Sequence, residues 1–300
     1  MKKRLITGII LLAVLIPLVV IEQLLPVFFV VSMGFAMIGS YEMLKLYQHE
    51  KKYSFGVKTV ITVATALSFI CGFTFIADLI YGEQIYKLIS FSALFASISM
   101  QLSLLVFSKE FDASDIGKSM ATTTYVGFGV ASLVALRLMG VRFIVYLFII
   151  TILTDVFAYF FGMLFGKHKM IERISPKKTW EGAIGGTIIG TLAATLFAFL
   201  YGSLFPQMGC RTIFDSFFDM SKINDIVLFS CILVVSLLTS VAGQIGDLVA
   251  SRLKRTYGVK DFSNIFPGHG GFLDRFDSSI LASMVFNTLF IFFTLVMVVI

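Results

Sequence analysis

Apolar residues run along this chain in stretches of about 20, the length that crosses ~30 Å of hydrocarbon, separated by short polar loops. Such windows fall near 25–46, 59–80, 85–107, 119–139, 143–165, 183–204, 226–249 and 279–300. A further run, Leu5 to Ile21, follows Lys2-Lys3-Arg4. It is long for the apolar part of a signal peptide, and no small-x-small cleavage site precedes Glu22-Gln23, so it reads as a retained span. The pattern predicts an all-α, polytopic integral membrane protein with about nine transmembrane helices. No internal repeat, low-complexity tract or long linker interrupts it, and the 300 residues read as one transmembrane domain.

Composition agrees. The chain is 58% hydrophobic and only 14% charged, with a mean hydropathy of +0.94, whereas roughly a quarter of the residues of a soluble domain are charged. Three scattered cysteines (Cys71, Cys210, Cys231) and three histidines suit neither a zinc site nor a disulfide framework, so any metal would be held by oxygen. With the N-terminus inside and the C-terminus outside, nineteen of the 24 Lys and Arg residues fall on the cytoplasmic side. Lys87, Arg137, Arg142, Arg211 and Lys222 fall on the other. The net charge of +6 is therefore mostly a topology signal. Nucleic acid is an unnecessary partner, and anionic headgroups of the cytoplasmic leaflet are the natural neighbours.

Two cytoplasmic loops, 166–182 and 251–278, exceed that background. In the first, Ser175-Pro176-Lys177-Lys178-Thr179 combines a turn former, two cations and two hydroxyls, a set suited to polyphosphate oxygens. Taken alone, Lys177 and Lys178 also read as topology charge, Trp180 as an interfacial anchor, and Gly182, Gly185 and Gly186 as helix-packing positions. In the second, Gln244, Asp247, Ser251, Lys254 and Arg255 share one face of a helix that continues to a stop at Gly258. Pro267-Gly268-His269-Gly270-Gly271 follows, a turn-rich segment whose backbone N–H groups suit an anion. Asp274 and Asp277, at i and i+3, open the last span. Any one of these aspartates reads equally as a helix cap or a counter-ion for Lys254, Arg255 or Arg275. As a set, Asp247, Asp274 and Asp277 read as ligands of Mg²⁺, which favours one or two carboxylates plus substrate phosphates and water.

Asp155 stands apart. Ten residues before Phe165, it lies about 15 Å below the cytoplasmic end of its helix, which implies a polar cavity or a partner at that depth. Asp78 receives no role, and His49 and His168 read as surface residues. The outward segment from Tyr201 to Asp225, with Phe205, Phe214, Phe217 and Phe218, reads either as an interfacial stretch or as a dimer contact.

The run Ser251-x-Leu253-Lys254-Arg255, then Lys260-Asp261-x-Ser263, then Pro267-x-His269-Gly270-Gly271-x-x-Asp274-Arg275-x-Asp277 resembles the signature of the phosphatidate cytidylyltransferases, or CDP-diacylglycerol synthases. Asp155-Val156-Phe157-Ala158-Tyr159-Phe160, Phe165-Gly166-Lys167-His168-Lys169 and Ser175 to Gly182 are similar to the same family, with Val156 where a Thr or Ser is expected. The similarity covers a catalytic region of about 140–280; the spans of about 1–139 resemble the family only in being hydrophobic. The resemblance implies that CTP and phosphatidate give CDP-diacylglycerol and pyrophosphate with Mg²⁺, with or without a second cation. It implies that Asp247, Asp274 and Asp277 hold the metal, while Lys254, Arg255, Lys260 and Arg275 stabilise the phosphates. Asp155, Lys177, Lys178, Thr179, Ser251, Asp261, His269, Gly270 and Gly271 would contact substrates, and a homodimer is implied. A related CTP-dependent polyprenol or phytol kinase, or a cytidylyltransferase for another phospholipid, is the alternative. A transporter would place polar residues near the midplane of several helices, whereas here they cluster at one face.

Overall fold

A computed structural model describes residues 13–215, 217, 224–266, 268 and 270–299, with side chains through residue 293. Long helices dominate: α1 (Leu25–Tyr47), α2 (Phe55–Tyr81), α3 (Gln84–Phe107), α4 (Ala113–Thr122), α5 (Gly129–Met139), α6 (Val141–Phe165), α7 (Trp180–Phe199), α8 (Asp225–Thr256) and α9 (Leu273–Val299). A π-helical segment, Thr123–Phe128, joins α4 to α5, so the two make one span. Eight helices among the described residues are long and apolar enough to cross a membrane, and they match the eight windows from 25 to 300. The predicted span Leu5–Ile21 lies in part outside the described residues; 13–20 are helical. The chain is an all-α, multi-pass membrane protein.

Its contacts gather into two compact units. One comprises Met1–Met139 with Arg252–Ile280, and the other Gly140–Ser251 with Leu281–Ile300. Within each, the polar residues of the spans are used across helices, since an unpaired polar group in hydrocarbon costs several kcal/mol. In the first unit, the Ser97 hydroxyl lies 2.9 Å from that of Ser68 and donates to the Ala64 carbonyl at 2.9 Å, tying α3 to α2. Ser54 caps α2 by accepting from the Val57 N–H, and Gly82, at φ 69°, ends it. Asp112 and Asp115 form a capping box at the start of α4. Lys51 reaches both, at 2.5 and 2.6 Å, and with the Ser114 hydroxyl holds the Asp112 carboxyl well below the usual carboxylate range. Lys51, which reads in the sequence as plain topology charge, is thus also the counter-ion of a helix start.

In the second unit, Tyr146 bonds Ser236 at 2.6 Å and Thr154 bonds Ser240 at 2.7 Å, joining α6 to α8. α7 lies close against α6 because Gly182, Gly186 and Gly190 form a stripe at i, i+4 and i+8. A Cβ at Gly186 would overlap the Thr154 carbonyl oxygen, and one at Gly185 would lie 2.5 Å from the Phe161 ring. Gly182, Gly185 and Gly186, the three glycines that read as helix-packing positions, do serve as such. Phe214 and Phe217 turn inward, edge-on to Phe143 at 5.6 and 5.7 Å, and Phe217 meets Phe290 at 5.1 Å. These two rings belong to the unit's own core, and neither reading of the 201–225 segment anticipated that; Phe218 lies outside the described residues.

The α6–α7 contact makes a paired prediction. Gly186→Ala should destabilise the detergent-solubilised protein by about 1–3 kcal/mol, the usual cost of overpacking. Gly34→Ala, where nothing lies within 4 Å of the added methyl, should stabilise by about 0.5–1 kcal/mol through helix propensity. Thermal unfolding of both variants checks the pair.

Candidate active site

The loop 166–182 is a β-hairpin, which the helix-based reading of the sequence did not include. Strand β1 (Lys169–Ile171) pairs antiparallel with β2 (Ser175–Thr179), with Lys169 opposite Thr179 and Ile171 opposite Ser175. Successive strand side chains point to opposite faces, so Lys177 and Lys178 part company. Lys177 is exposed, whereas Lys178 Nζ lies 2.5 Å from Asp247 Oδ2, each side chain 29% exposed. Thr179 is buried and caps α7, its hydroxyl oxygen accepting from the Gly182 N–H at 3.2 Å. The hairpin is closed by the Trp180 N–H donating to the His168 carbonyl and by His168 Nδ1 at 2.6 Å from Glu181.

Asp247 is positioned by α8. The helix has 32 residues, about 48 Å at 1.5 Å each, well beyond the ~30 Å of hydrocarbon. Its last turns carry the polar stripe that the sequence places there. Gln244 donates to Thr187 Oγ1 at 2.7 Å and to the Ala183 carbonyl at 3.1 Å. The Ser251 hydroxyl donates to Asp247 Oδ1 at 3.3 Å. As predicted, Gly258 ends the helix in a left-handed conformation at φ 69°, and Arg255 donates to the Val259 carbonyl at 3.1 Å. Asp155 lies on α6, ten residues before its last residue Phe165, and is exposed.

The loop after α8 is organised by Asp274. Its Oδ1 accepts from Lys254 Nζ at 2.6 Å, and its Oδ2 accepts from the Phe262 and Gly271 N–H groups, both at 2.9 Å. The side chains of Lys254 and Asp274 are 11% and 3% exposed, and the ammonium lies 5.1 Å from the Phe262 ring centroid. Asp274 thus takes the role that a single aspartate at this place has by default: it neutralises Lys254 and braces the loop. Phe266 and Gly270 exchange backbone hydrogen bonds at 2.9 and 3.1 Å, with Gly268 and Gly270 at φ 80° and 85°. The N–H groups of Gly270 and Gly271 are accordingly used within the loop. His269 lies outside the described residues. Asp277, one turn into α9, is half-buried, and its Oδ1 accepts from the Ser278 N–H.

Lys260, Asp261 and Ser263 line a cleft of ≈ 280 Å³ with Lys45 of α1 and His49 just beyond its end. His49 is exposed, as its reading as a surface residue expects, and forms a wall of that cleft. Arg255, Lys260, Asp261 and Arg275 are exposed. One further residue was not visible in the sequence as part of the site. Glu42 of α1 is fully buried, and its carboxylate accepts from the Ser263 hydroxyl and from the Phe272 and Leu273 N–H groups. Its signal in the sequence is a lone carboxylate four residues before the end of an apolar window, with no motif around it.

Carboxylate oxygens are the donors that a cation of the Mg²⁺ type prefers. Among the described residues, no three His, Cys, Asp or Glu side chains gather to enclose an ion. A metal held by these described carboxylates would draw its remaining ligands from substrate phosphates and water, which is how Mg²⁺ is usually held. Asp247, part-exposed and beside a cation, is suited to that arrangement. Both Asp274 oxygens are engaged, by Lys254 and by the Phe262 and Gly271 N–H groups.

A model of the cytidylyltransferase family matches residues 2–293. The chain is 39% identical over 204 residues to a Staphylococcus haemolyticus protein, covering 68% of this chain and 70% of the relative. It is 38% identical over 200 residues to one from Staphylococcus saprophyticus (66% and 68%), and 38% identical over 206 residues to one from Staphylococcus aureus (68% and 71%). All three relatives bear the name phosphatidate cytidylyltransferase.

Removing Lys254 tests the loop's internal brace. Lys254→Met leaves Asp274 enclosed without its counter-charge, a loss expected to cost about 3–5 kcal/mol. Amide hydrogen exchange at Phe262 and Gly271 should accelerate selectively; wild-type protection at both positions would contradict the brace.

Proposed function

The chain belongs to the cytidylyltransferase family, and from that premise we propose that it transfers the cytidylyl group of CTP to phosphatidate, giving CDP-diacylglycerol and pyrophosphate. The observation that carries this reading is the family match running through residues 2–293, with relatives of the same name at 38–39% identity. A multi-pass membrane protein suits a reaction whose acceptor and product are both lipids.

The chemistry asks little covalent work of the protein. The phosphate monoester of phosphatidate, with a second pKa of about 6 by analogy with phosphoserine, is largely dianionic at neutral pH and attacks the α-phosphorus of CTP without a general base. A bond forms from the lipid phosphate oxygen to that phosphorus, the bond to the bridging oxygen of the β-phosphate breaks, and pyrophosphate carries away its electron pair. Two polyanions must approach each other, so catalysis consists of neutralising charge and aligning the reactants.

The side chains are assigned accordingly. Lys178 is held at a definite place by Asp247 and receives phosphate oxygens, with the exposed Lys177 next to it in sequence as a weaker contributor. Lys254, Arg255, Lys260 and Arg275 stabilise the α-phosphate and the leaving pyrophosphate, and the cleft beside Lys260 and Asp261 contributes to nucleotide binding. Ser251, Thr179 and the Gly270–Gly271 segment shape the surroundings, and Asp155 orders the deep end of the lipid path. Asp247, Asp274 and Asp277 are the proposed ligands of Mg²⁺; the Asp247 side chain is 29% exposed and that of Asp274 only 3%. When bound, the cation supplies positive charge against the triphosphate. The charge asymmetry of the loops supports a cytoplasmic N-terminus and a cytoplasmic active site; a homodimer is part of the same reading.

Purified protein incubated with CTP labelled on the α-phosphate, phosphatidate and Mg²⁺ should move label into extracted lipid and release pyrophosphate, both abolished by chelation. Asp247→Asn and Asp277→Asn should each lower turnover by at least about 10²-fold, the scale of losing a charge-stabilising group, without loss of folded protein. Label left in the aqueous phase, with a γ-phosphate transferred to a lipid alcohol, would replace this reading with that of a lipid kinase.

A further inference from the structure

We infer that Glu42, on α1 and outside every loop motif, is a positioning residue for the active-site segment between Phe262 and Asp274. The inference rests on the cytidylyltransferase reading, because positioning has meaning only for the turnover it supports. Glu42 is fully buried, and a carboxylate so placed is tolerated only when donors satisfy it. Three do: the Ser263 hydroxyl at 2.5 Å and the Phe272 N–H at 2.9 Å on Oε1, and the Leu273 N–H at 2.9 Å on Oε2.

Two of those donors belong to the start of α9, whose first N–H groups have no partner within the helix. The residue at the helix's own cap position is Phe272, which has no side-chain acceptor. Glu42 therefore supplies from another helix, 230 residues away in sequence, what a Ser or Asp cap supplies locally, at the end of the helix where the macrodipole favours an anion. The loop is fitted to receive it. A Cβ at Gly271 would overlap the Glu42 carboxylate, and Phe272 stacks on Phe35 of α1 with ring centroids 5.2 Å apart.

The consequence passes to the groups that handle charge. Leu273, held by Glu42, immediately precedes Asp274, which in turn holds the Phe262 and Gly271 N–H groups and Lys254. Glu42 and Asp274 thus grip the same short loop through different donors. Where Lys254 stands depends on Asp274, and where Asp274 stands depends on Glu42.

The test uses full-length protein with kcat and KM measured per folded molecule. Glu42→Gln keeps the volume but turns an N–H donor toward one of the loop's N–H groups. The expected result is a kcat at least tenfold lower, with KM for phosphatidate within about twofold of wild type. Adding Ser263→Ala to Glu42→Gln should lower kcat by less than the product of the two single effects, since both remove the same contact. Wild-type kcat in Glu42→Gln, or a loss that disappears once activity is divided by folded protein, would overturn the inference. If Glu42→Gln does not fold, Ser263→Ala alone is read by the same criteria, and an unchanged kcat there overturns it equally. Failure of the wild-type protein to label lipid would instead contradict the proposed function, so the two failures are distinguishable.

Discussion

A carboxylate sealed from water persists only where hydrogen-bond donors and positive charge replace the water it has lost. The loop between α8 and α9 is built on that constraint twice. Its backbone has little regular structure of its own beyond the exchange between Phe266 and Gly270, so its shape comes from the groups that must satisfy Glu42 and Asp274. Six donors converge on these two side chains: five hydroxyl or N–H groups of the loop and α9 start, and the Lys254 ammonium. Moving any of them leaves charge uncompensated in a packed interior. A segment rich in glycine is thereby held in one arrangement, and its exposed cations, Lys260 and Arg275, inherit a fixed base.

The spans were legible in the sequence because hydrocarbon thickness sets one length and apolar composition marks it. The helix stop at Gly258 was legible for an equally local reason, the left-handed backbone that glycine accepts. The residues of the candidate site could be singled out from the sequence, but their arrangement only in part. Lys177 and Lys178 look equivalent in sequence, and the hairpin separates them through strand alternation, which a three-residue partner strand is too short to announce. Asp274 reads in sequence as a metal ligand or as a counter-ion, and its enclosure by Phe262, Gly271 and Lys254 could not be read from spacing. Phe214 and Phe217 were undecided because the position of Phe143, over 70 residues earlier, is a tertiary fact.

Glu42 shows the limit most clearly. Its partners lie 221 to 231 residues away, and nothing near it in sequence signals a role. The spans before residue 139 carry no motif, yet the family match begins at residue 2. The contact from Glu42 to Ser263, Phe272 and Leu273 gives a physical reason for those spans to belong to the enzyme. They supply the wall on which the candidate active-site loop is set.

The central claim is that the protein aligns and neutralises two phosphate-bearing substrates, and that the lipid phosphate itself makes the one displacement at the α-phosphorus. The stereochemical course tests this most directly. With CTP made chiral at the α-phosphorus by a single sulfur substitution, one in-line displacement predicts CDP-diacylglycerol of inverted configuration. Retained configuration would require two displacements through a nucleotidyl group held on the protein, and would contradict the account.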